Sequence, residues 1–408
     1  MPFPTLAAAP APSTPLGPFA DSAVAWTTWI TLMGLVGLTV LALAVAGPAA
    51  RRTAPESLAR ITSRVALVAA ALGVLAVPAV LSNLAHGLSP AGGYDYPAAW
   101  DSLYDGSVAG LFSGLEVTLA LTAAALLAVL AFRPAAAGRA RPWLLGAGLA
   151  AGAVALGTAK FPTDSGDDWG RTLFETGVWM LHLLGGAIWI GGLAGLLLLA
   201  LPGTVAEAER GAFWAVLIRR FSAVAMSSVA AIALSGLFLY WEHVDGPGQL
   251  FTTMYGRTLG VKILIFGTLL LLGVANQFWL HPRIEALRAA GDQRPLRAIL
   301  VRRFPALVAA ELLLGVTVLF VAPFLHGSAR NQAFQANAAS QATSATAKLP
   351  KIPAKQVTAS TWAWGTAETV VVVAVMLAGY RVSGRMARSR TAAVTRAATL
   401  GPDDLVGA

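Results

Sequence analysis

The fold is decided by the stretch His182-Leu-Leu-Gly-Gly-Ala-Ile-Trp-Ile-Gly-Gly-Leu-Ala-Gly195. It lies in an apolar run from Thr176 to Leu201, and roughly 20 apolar residues are enough for a helix to cross a bilayer. A histidine inside such a run is costly to place and therefore marks a candidate functional site. Small residues three and four positions apart let a neighbouring helix approach closely. We therefore predict a membrane helix at the centre of a bundle, with packing glycines at Gly185, Gly186, Gly191, Gly192 and Gly195.

The composition of the whole chain supports a membrane protein. Of its 408 residues 56% are hydrophobic and only 12% are charged, whereas soluble domains carry about 25% charged residues. The chain has no cysteine, which excludes disulfides, thiolate zinc sites, iron–sulfur clusters and CxxC redox chemistry. Any metal site must therefore use histidine, methionine, carboxylate or backbone ligands.

Apolar runs recur along the chain and predict an all-α, polytopic bundle of about nine transmembrane helices. The nine runs cover residues 23–46, 62–84, 109–132, 143–160, 176–201, 219–241, 258–280, 305–326 and 362–381. Glycine and proline within them do not argue against helices, because transmembrane helices tolerate both. The fourth run is short and rich in glycine and alanine.

The basic residues predict the orientation of these spans. Most of the 29 lysines and arginines fall in the loops after spans one, three, five and seven and in the segment after the ninth span. The positive-inside rule then places the N-terminus outside and the C-terminus inside. The net charge of +9 is accounted for by this distribution. Since no groove-reading motif accompanies the charge, we expect no nucleic-acid partner.

The runs and loops divide the chain into six predicted segments. Residues 1–22 are rich in proline and alanine and lack lysine and arginine, so we expect an exported tail and not a cleaved leader. Residues 23–170 form a four-span region, and residues 171–326 form a second one. An outer linker (327–361), the ninth span (362–381) and a basic cytoplasmic tail (382–408) follow.

Metal-ligand residue types cluster at one predicted depth. His182 lies in the outer half of span five, with Met180 two residues before it; His243 follows span six, and His326 ends span eight on the same side. Glu116 lies in the outer half of span three. Imidazole suits copper, zinc and haem iron, and a thioether favours Cu(I). These five residues are therefore the predicted metal ligands, whereas His86 and His281 are interpreted as ordinary interfacial residues.

Energy coupling has no visible motif in the sequence. There is no GxxxxGK[ST] phosphate loop and no phosphorylated-aspartate signature of a cation pump. A cation that enters a cell gains about 2.3 kcal/mol per charge per 100 mV of membrane potential. Transport through this chain, if inward, therefore needs no nucleotide.

Several motifs in fixed order resemble the copper resistance D (CopD) family. They are His182 through Gly192, which includes Trp189, then Arg220-Phe221-Ser222, Ser235-Gly236, the Y-G-x-x-L-x-x-K pattern from Tyr255 and Gly256 to Lys262, and Asn276. The resemblance covers roughly residues 177–325, so it names the second four-span region as CopD-like. It does not extend to the first four spans or to the ninth.

The resemblance implies a multi-pass protein of the bacterial cytoplasmic membrane that moves copper and is not an enzyme. Movement is expected to be inward, as part of copper homeostasis or resistance. A separate CopC-type extracytoplasmic copper-binding protein is the implied partner, alongside membrane lipid. Among the predicted ligands only His182 lies in a family motif; the other four rest on depth.

Two other functions remain open from the sequence. Histidines at matched depth could hold a haem, with His182 paired with His243 or His326, which would make the chain a membrane b-type haem protein. Alternatively, the chain could deliver copper to a cuproenzyme as an assembly factor, binding the metal without net uptake.

Overall fold

The computed structural model describes residues 19–89, 93–163, 169–275, 304–325, 328–341 and 359–399, and these contain helices but no β-strand. The long helices are α1 (Phe19–Val40), α3 (Leu58–Gly87), α5 (Val108–Val129), α7 (Arg141–Thr158), α8 (Trp169–Leu199), α9 (Arg210–His243), α11 (Met254–Ala275), α12 (Phe304–Val321) and α14 (Ala359–Thr399). Shorter elements connect them. These are a π-helical turn (Leu41–Ala46), α2 (Gly47–Thr53), α4 (Tyr96–Asp101), α6 (Arg133–Ala137), α10 (Gln249–Thr252), a 3₁₀ turn (Ala322–Phe324) and α13 (Ala329–Gln341).

Seven helical segments in this described part are long and apolar enough to cross a membrane. They are Ser22–Thr53, Leu58–Gly87, Val108–Val129, Trp169–Leu199, Arg210–His243, Met254–Val274 and Ala306–Ala338. The prediction of an all-α, multi-span chain is thereby confirmed. The predicted fourth and ninth runs form helices outside this set of seven, α7 and the apolar part Ala363–Gly379 of α14. The count of nine spans and the orientation of the termini stay predictions.

Helix α8, which contains the glycine stretch, lies between α1 and α9. On one side a Cβ atom added to Gly191 would lie 2.6 Å from Gly37 Cα of α1, so the two backbones touch there. On the other side a Cβ on Gly192 would overlap the ring of Phe221 in α9. Because each side of the stretch meets a different helix, its glycines serve two interfaces within one chain.

The remaining glycines of the stretch follow the same division. A Cβ on Gly185 would lie 3.1 Å from Ser228 O of α9, and one on Gly195 would overlap Leu41. Gly186 differs, since the nearest atom to its added Cβ is Met33 Cε at 3.6 Å, an ordinary van der Waals distance. Space therefore requires glycine at most of these positions but not at Gly186.

A π-helical turn links α1 to the neighbouring α9. Helix α1 continues into the turn Leu41–Ala46, and a π turn interrupts the regular i to i+4 bonding of an α-helix. Arg220 Nη2 donates a hydrogen bond of 2.9 Å to the carbonyl oxygen of Ala44 in this turn. The arginine of the Arg220-Phe221-Ser222 motif thus satisfies a backbone acceptor of α1.

At the same end of the bundle a carboxylate clamp, formed by Glu209, joins two helices. Glu209, just before α9, accepts hydrogen bonds from the backbone nitrogens of Glu56 and Ser57 at 3.1 and 3.2 Å. The Ser57 hydroxyl donates to the same carboxylate at 2.6 Å. Ser57 precedes the first residue of α3, so the clamp joins the start of α3 to the start of α9.

The helices differ in how much of their surface is covered. Helix α1 is buried on most sides, with Leu32, Leu35 and Leu38 at 2% exposure or less. Helix α11 lies at the rim and exposes Leu264 and Leu271, each 72% accessible. An apolar helix that exposes most of its side chains is suited to a lipid environment. At the rim, α14 docks on α9, where Trp241 Nε1 donates to Glu368 Oε2 at 2.7 Å.

Candidate functional site

His182 of α8 is held by a serine of α9. Its Nδ1 atom lies 3.0 Å from the hydroxyl oxygen of Ser235. The hydroxyl in turn donates to the carbonyl oxygen of Ala231 at 2.5 Å, and a serine hydroxyl has a single hydrogen to donate. Nδ1 of His182 is therefore the donor to Ser235, which leaves the ring lone pair on Nε2. A neutral imidazole with a lone pair on one nitrogen is the form that ligates a metal ion.

The close approach of α8 and α9 makes this contact possible. A Cβ atom added to Gly236 would lie 3.6 Å from His182 Cε1, so the residue after Ser235 lies directly against the imidazole ring. One turn deeper, Gly185 contacts α9 at Ser228. Small residues on both helices thus bring the serine within hydrogen-bonding distance of the histidine.

A tryptophan and a lysine flank the histidine on its other side. The rings of Trp179 and His182 meet edge to face with centroids 6.4 Å apart. The ammonium nitrogen of Lys160, two residues beyond α7, lies 4.4 Å from the centroid of the Trp179 ring. This is a cation–π geometry, so one tryptophan ring neighbours both the lysine and the histidine.

Lys262 of α11 brings a second positive charge to the same place. It lies within electrostatic range of both His182 and Lys160. Phe266, one helical turn beyond Lys262, packs edge to face on Trp189 of α8 with centroids 6.0 Å apart. Residues four positions apart share one face of a helix, so the face of α11 that carries Lys262 is the one turned to α8.

Motifs far apart in the sequence therefore meet at His182. Ser235 and Gly236 come from one motif, Lys262 ends another, and Trp189 belongs to the histidine stretch itself. We name His182, Ser235, Trp179, Lys160 and Lys262 the His182 cluster. Sequence reasoning assigned no role to Ser235, Trp179 or Lys160. Their only signals were the Ser-Gly motif and a lone lysine at the end of a short apolar run.

His243 lies elsewhere at the same end of α9. Its Nδ1 atom donates to the carbonyl oxygen of Leu239 at 2.8 Å, and its ring stacks on Tyr255 with centroids 5.8 Å apart. From Ser235 to His243 the helix rises about 12 Å. Two nitrogens on one metal ion lie about 4 Å apart at most, because each metal–nitrogen bond is about 2 Å long. The structure thus does not bring His182 and His243 together as a ligand pair for one metal or haem iron.

Met180 and Glu116 contact other parts of the bundle. A Cβ added to Gly157 of α7 would lie 2.6 Å from the Met180 sulfur, so Met180 faces α7, whereas His182 faces α9. Glu116 lines a cavity of about 80 Å³ between α1, α3 and α5. The other lining residues are Ala25, Thr28, Trp29, Val80, Asn83, Leu84 and Ala159.

The other predicted residues complete the comparison. His326 lies outside the described residues. The Tyr255 ring stacks on His243. Glycine is required at Gly256 because a Cβ atom there would overlap the carbonyl group of Gln249. Within the described ranges no group of three or more histidine, aspartate or glutamate side chains could hold a metal ion. Among these described residues, the His182 cluster offers an incoming metal one imidazole nitrogen and not a closed cage.

Comparison with known proteins finds similarity over part of the second half of the chain. Residues 215–325 match the family model described as Copper resistance protein D, which confirms the resemblance drawn from the motifs. A segment of 118 residues is 36% identical to the Copper transport protein CutJ of Bacillus subtilis (strain 168), covering 29% of this chain and 21% of that relative. The chain thus matches only about a fifth of the relative's length. No solved structure matches. Ser235, Gly256 and Lys262 lie inside the family match, and His182 lies before it.

Proposed function

We propose that this chain, whose residues 215–325 carry a domain of the copper resistance D family, moves copper across the cytoplasmic membrane of a bacterium. The observation that carries the proposal is the imidazole of His182, which Ser235 orients so that the Nε2 lone pair is available. Of the five residues predicted as ligands, we propose His182 as the ligand of this site. The relative's name, a copper transport protein, supports copper as the metal.

A single fixed nitrogen suits a transport site better than a storage site. Conduction requires binding that is strong enough for entry and weak enough for release. The positive charge of Lys262 opposes a cation at Nε2, which weakens binding further. We infer a transient stop for copper at His182, with the remaining ligands supplied by the arriving complex.

We propose that the movement is inward. The predicted orientation puts His182 in the outer half of the membrane, and a cation gains about 2.3 kcal/mol per charge per 100 mV on entering the cell. Family resemblance further implies a CopC-type partner that would present copper at the outer face. We also propose that the chain divides into two four-span regions at residue 170 and that residues 327–361 form a linker.

The test is copper uptake into proteoliposomes that contain the purified chain. We expect His182→Ala to lower the uptake rate at least about tenfold, the scale on which lost groups around a metal reduce its binding. His243→Ala is the matched control, because it removes a histidine at the same end of the bundle but outside the His182 cluster. Uptake that survives His182→Ala unchanged would remove His182 from the mechanism.

The same vesicles separate the alternative functions. A copper-delivery factor would bind copper through His182 without accumulating it inside the vesicle. A haem protein would be red and show a Soret band. The pairing of His182 with His243 has no support, because Ser235, which contacts His182, lies about 12 Å from His243 along α9. Copper accumulation above that in matched protein-free vesicles indicates transport, and copper binding without accumulation indicates delivery.

A further inference from the structure

The cavity between α1, α3 and α5 has a volume of about 80 Å³, and three oxygen-bearing side chains line it. Glu116 of α5 contributes a carboxylate, Thr28 of α1 a hydroxyl and Asn83 of α3 an amide. The other lining residues are apolar, apart from the indole N–H of Trp29. Three helices thus enclose one carboxylate together with two neutral oxygen groups.

The cavity reaches from the surface of the bundle to a buried part of α1. Asn83 is exposed, whereas Thr28 is only 8% exposed. Glu116 lies well inside α5, a helix long and apolar enough to span a membrane. The helix rise places it about 12 Å from Val108, the first residue of α5. Because a carboxylate at such a depth is costly on its own, the cavity favours a positively charged occupant.

The chemistry of the lining defines the kind of cation that fits. The Thr28 hydroxyl donates its hydrogen to the carbonyl oxygen of Val24 at 3.3 Å, so its oxygen can act toward a ligand only as an acceptor. Carboxylate, hydroxyl and amide oxygens are ligands for hard cations, whereas copper binds well to imidazole and thioether groups. The cavity therefore differs in chemistry from the imidazole of His182.

The single carboxylate favours a monovalent cation over a divalent one. One positive charge leaves the cavity neutral, whereas a divalent ion would leave a net charge in apolar surroundings, which is costly. Calcium also takes about six to eight oxygen ligands, more than three side chains supply. A cavity needs roughly 10–15 Å³ to hold one water molecule. A volume of about 80 Å³ therefore has room for a sodium ion and part of its water shell.

Two elements join the cavity to the His182 cluster. Ala159, just after α7, lines the cavity. The ammonium group of the next residue, Lys160, lies over the ring of Trp179, which meets His182 edge to face. Helix α1, which also lines the cavity, packs directly on the backbone of α8. A cation that holds α1 and the end of α7 in place therefore acts on elements that surround His182.

We propose that Glu116, Thr28 and Asn83 bind a sodium ion in this cavity. The carboxylate supplies the negative charge, and the hydroxyl and amide oxygens replace part of the water shell of the ion. Sodium binding stands without copper. Its further role rests on the proposed function: bound sodium stabilises the arrangement of α1 and α7 around His182, so each cation raises the affinity for the other.

The first experiment measures sodium binding in the absence of copper. The full chain in nanodiscs of zwitterionic lipid is titrated with radiolabelled sodium in mildly alkaline buffer, which keeps protons from competing for the carboxylate. Choline is the replacement cation, because its methyl groups keep its charge away from the oxygen atoms. Unsubstituted protein should bind sodium saturably. Glu116→Gln should weaken binding at least about tenfold, the scale of a lost contact to a charged group.

Matched variants separate ligation from folding. Thr28→Val keeps the branched shape of the side chain but removes its oxygen, so it should also weaken sodium binding, whereas Thr28→Ser should retain it. Asp101→Asn is the control, because it removes an exposed carboxylate from α4, outside the cavity, and should leave binding unchanged. If Glu116→Gln does not purify as a single species, Thr28→Val decides in its place.

Each outcome decides the proposal. Absence of saturable sodium binding, or equal binding by Glu116→Gln and the unsubstituted protein, overturns it. The His182→Ala variant is loaded with sodium and then titrated with copper. Stoichiometric displacement of sodium would make the cavity a copper site and would overturn the proposal as well. Retention of sodium in that variant supports a sodium site separate from His182.

A second measurement separates this proposal from the transport proposal. Copper affinity is compared in sodium and in choline for the unsubstituted protein and for Glu116→Gln. We expect sodium to raise copper affinity about fivefold or more in the former and not in the latter. Equal copper affinity in the two salts overturns the coupling between the sites. If copper never binds, the transport proposal fails and the sodium titration still decides the cavity.

Discussion

At the scale of single residues, a serine on one helix determines which nitrogen of a histidine on another can meet a metal. The Ser235 hydroxyl gives its hydrogen to Ala231, so His182 must donate through Nδ1. Second-sphere partners of this kind set the tautomer and orientation of metal-binding histidines. The role of Ser235 therefore lies in positioning, and it is separable from that of His182.

We expect Ser235→Ala to mix the two neutral tautomers of His182 and to lower copper affinity about tenfold, the lower end of what lost second-sphere contacts cost. Nitrogen NMR of histidine-labelled protein reports the tautomer directly, and a copper titration reports the affinity. Ser227→Ala is the control, because the Ser227 hydroxyl donates to Ala223 O on the same helix. An unchanged tautomer in Ser235→Ala would contradict this assignment.

Sequence reasoning could identify His182 but not its neighbours. The histidine stands out because a polar residue interrupts an apolar run. Ser235, Lys160 and Lys262 reach it only through helix crossings, which no local pattern encodes. The depth argument placed Met180 beside His182, yet side chains two positions apart on a helix point about 200° apart, and Met180 faces α7.

At the scale of elements, the glycines of α8 serve two neighbours and not one continuous face. Gly191 meets the α1 backbone and Gly192 meets Phe221 of α9. The sequence predicted an apolar run from Thr176 to Leu201, whereas the observed helix is longer and begins earlier, at Trp169. An apolar run marks the part of a helix that lies in lipid, and a helix continues past it into polar residues.

Two glycines of this stretch make a matched pair for a stability test. Gly191→Ala should lower the free energy of unfolding by about 1–3 kcal/mol, the usual effect of overpacking, because its Cβ would lie 2.6 Å from Gly37 Cα. Gly186→Ala should be tolerated, since its nearest neighbour is 3.6 Å away. Thermal unfolding followed by tryptophan fluorescence compares the two. Equal midpoints would show that α1 and α8 can separate without loss.

At the scale of the whole molecule, one hydrophobic core includes residues from both predicted four-span regions. It contains Leu35 and Leu38 of α1, Trp189 of α8, and Phe221 of α9. The family match begins only at residue 215. Two features before it nevertheless contact the site: Lys160 lies over the Trp179 ring, and the π-helical turn accepts a hydrogen bond from Arg220. Motif-based reasoning assigned the first four spans no role because no family motif lies there.

Removal of the hydrogen bond from Arg220 to Ala44 tests this contact between the two regions. We expect Arg220→Met to lower the free energy of unfolding by about 1 kcal/mol, because the carbonyl oxygen of Ala44 loses a charged hydrogen-bond donor. Arg219→Met removes the neighbouring, exposed arginine and should leave stability near that of the unsubstituted protein. Denaturation in mild detergent measures both. Equal stability of the two variants would show that the π-helical turn does not depend on α9.

The crossing of Gly37 and Gly191 also limits how the molecule can move. No side chain stands between the two backbones at this point, so there are no rotamers to rearrange when α1 and α8 change their angle. Sliding is different, because Ala187 on one side and Leu41 on the other would have to pass through the contact. We therefore expect the crossing to act as a pivot, about which the two helices tilt more readily than they slide along one another.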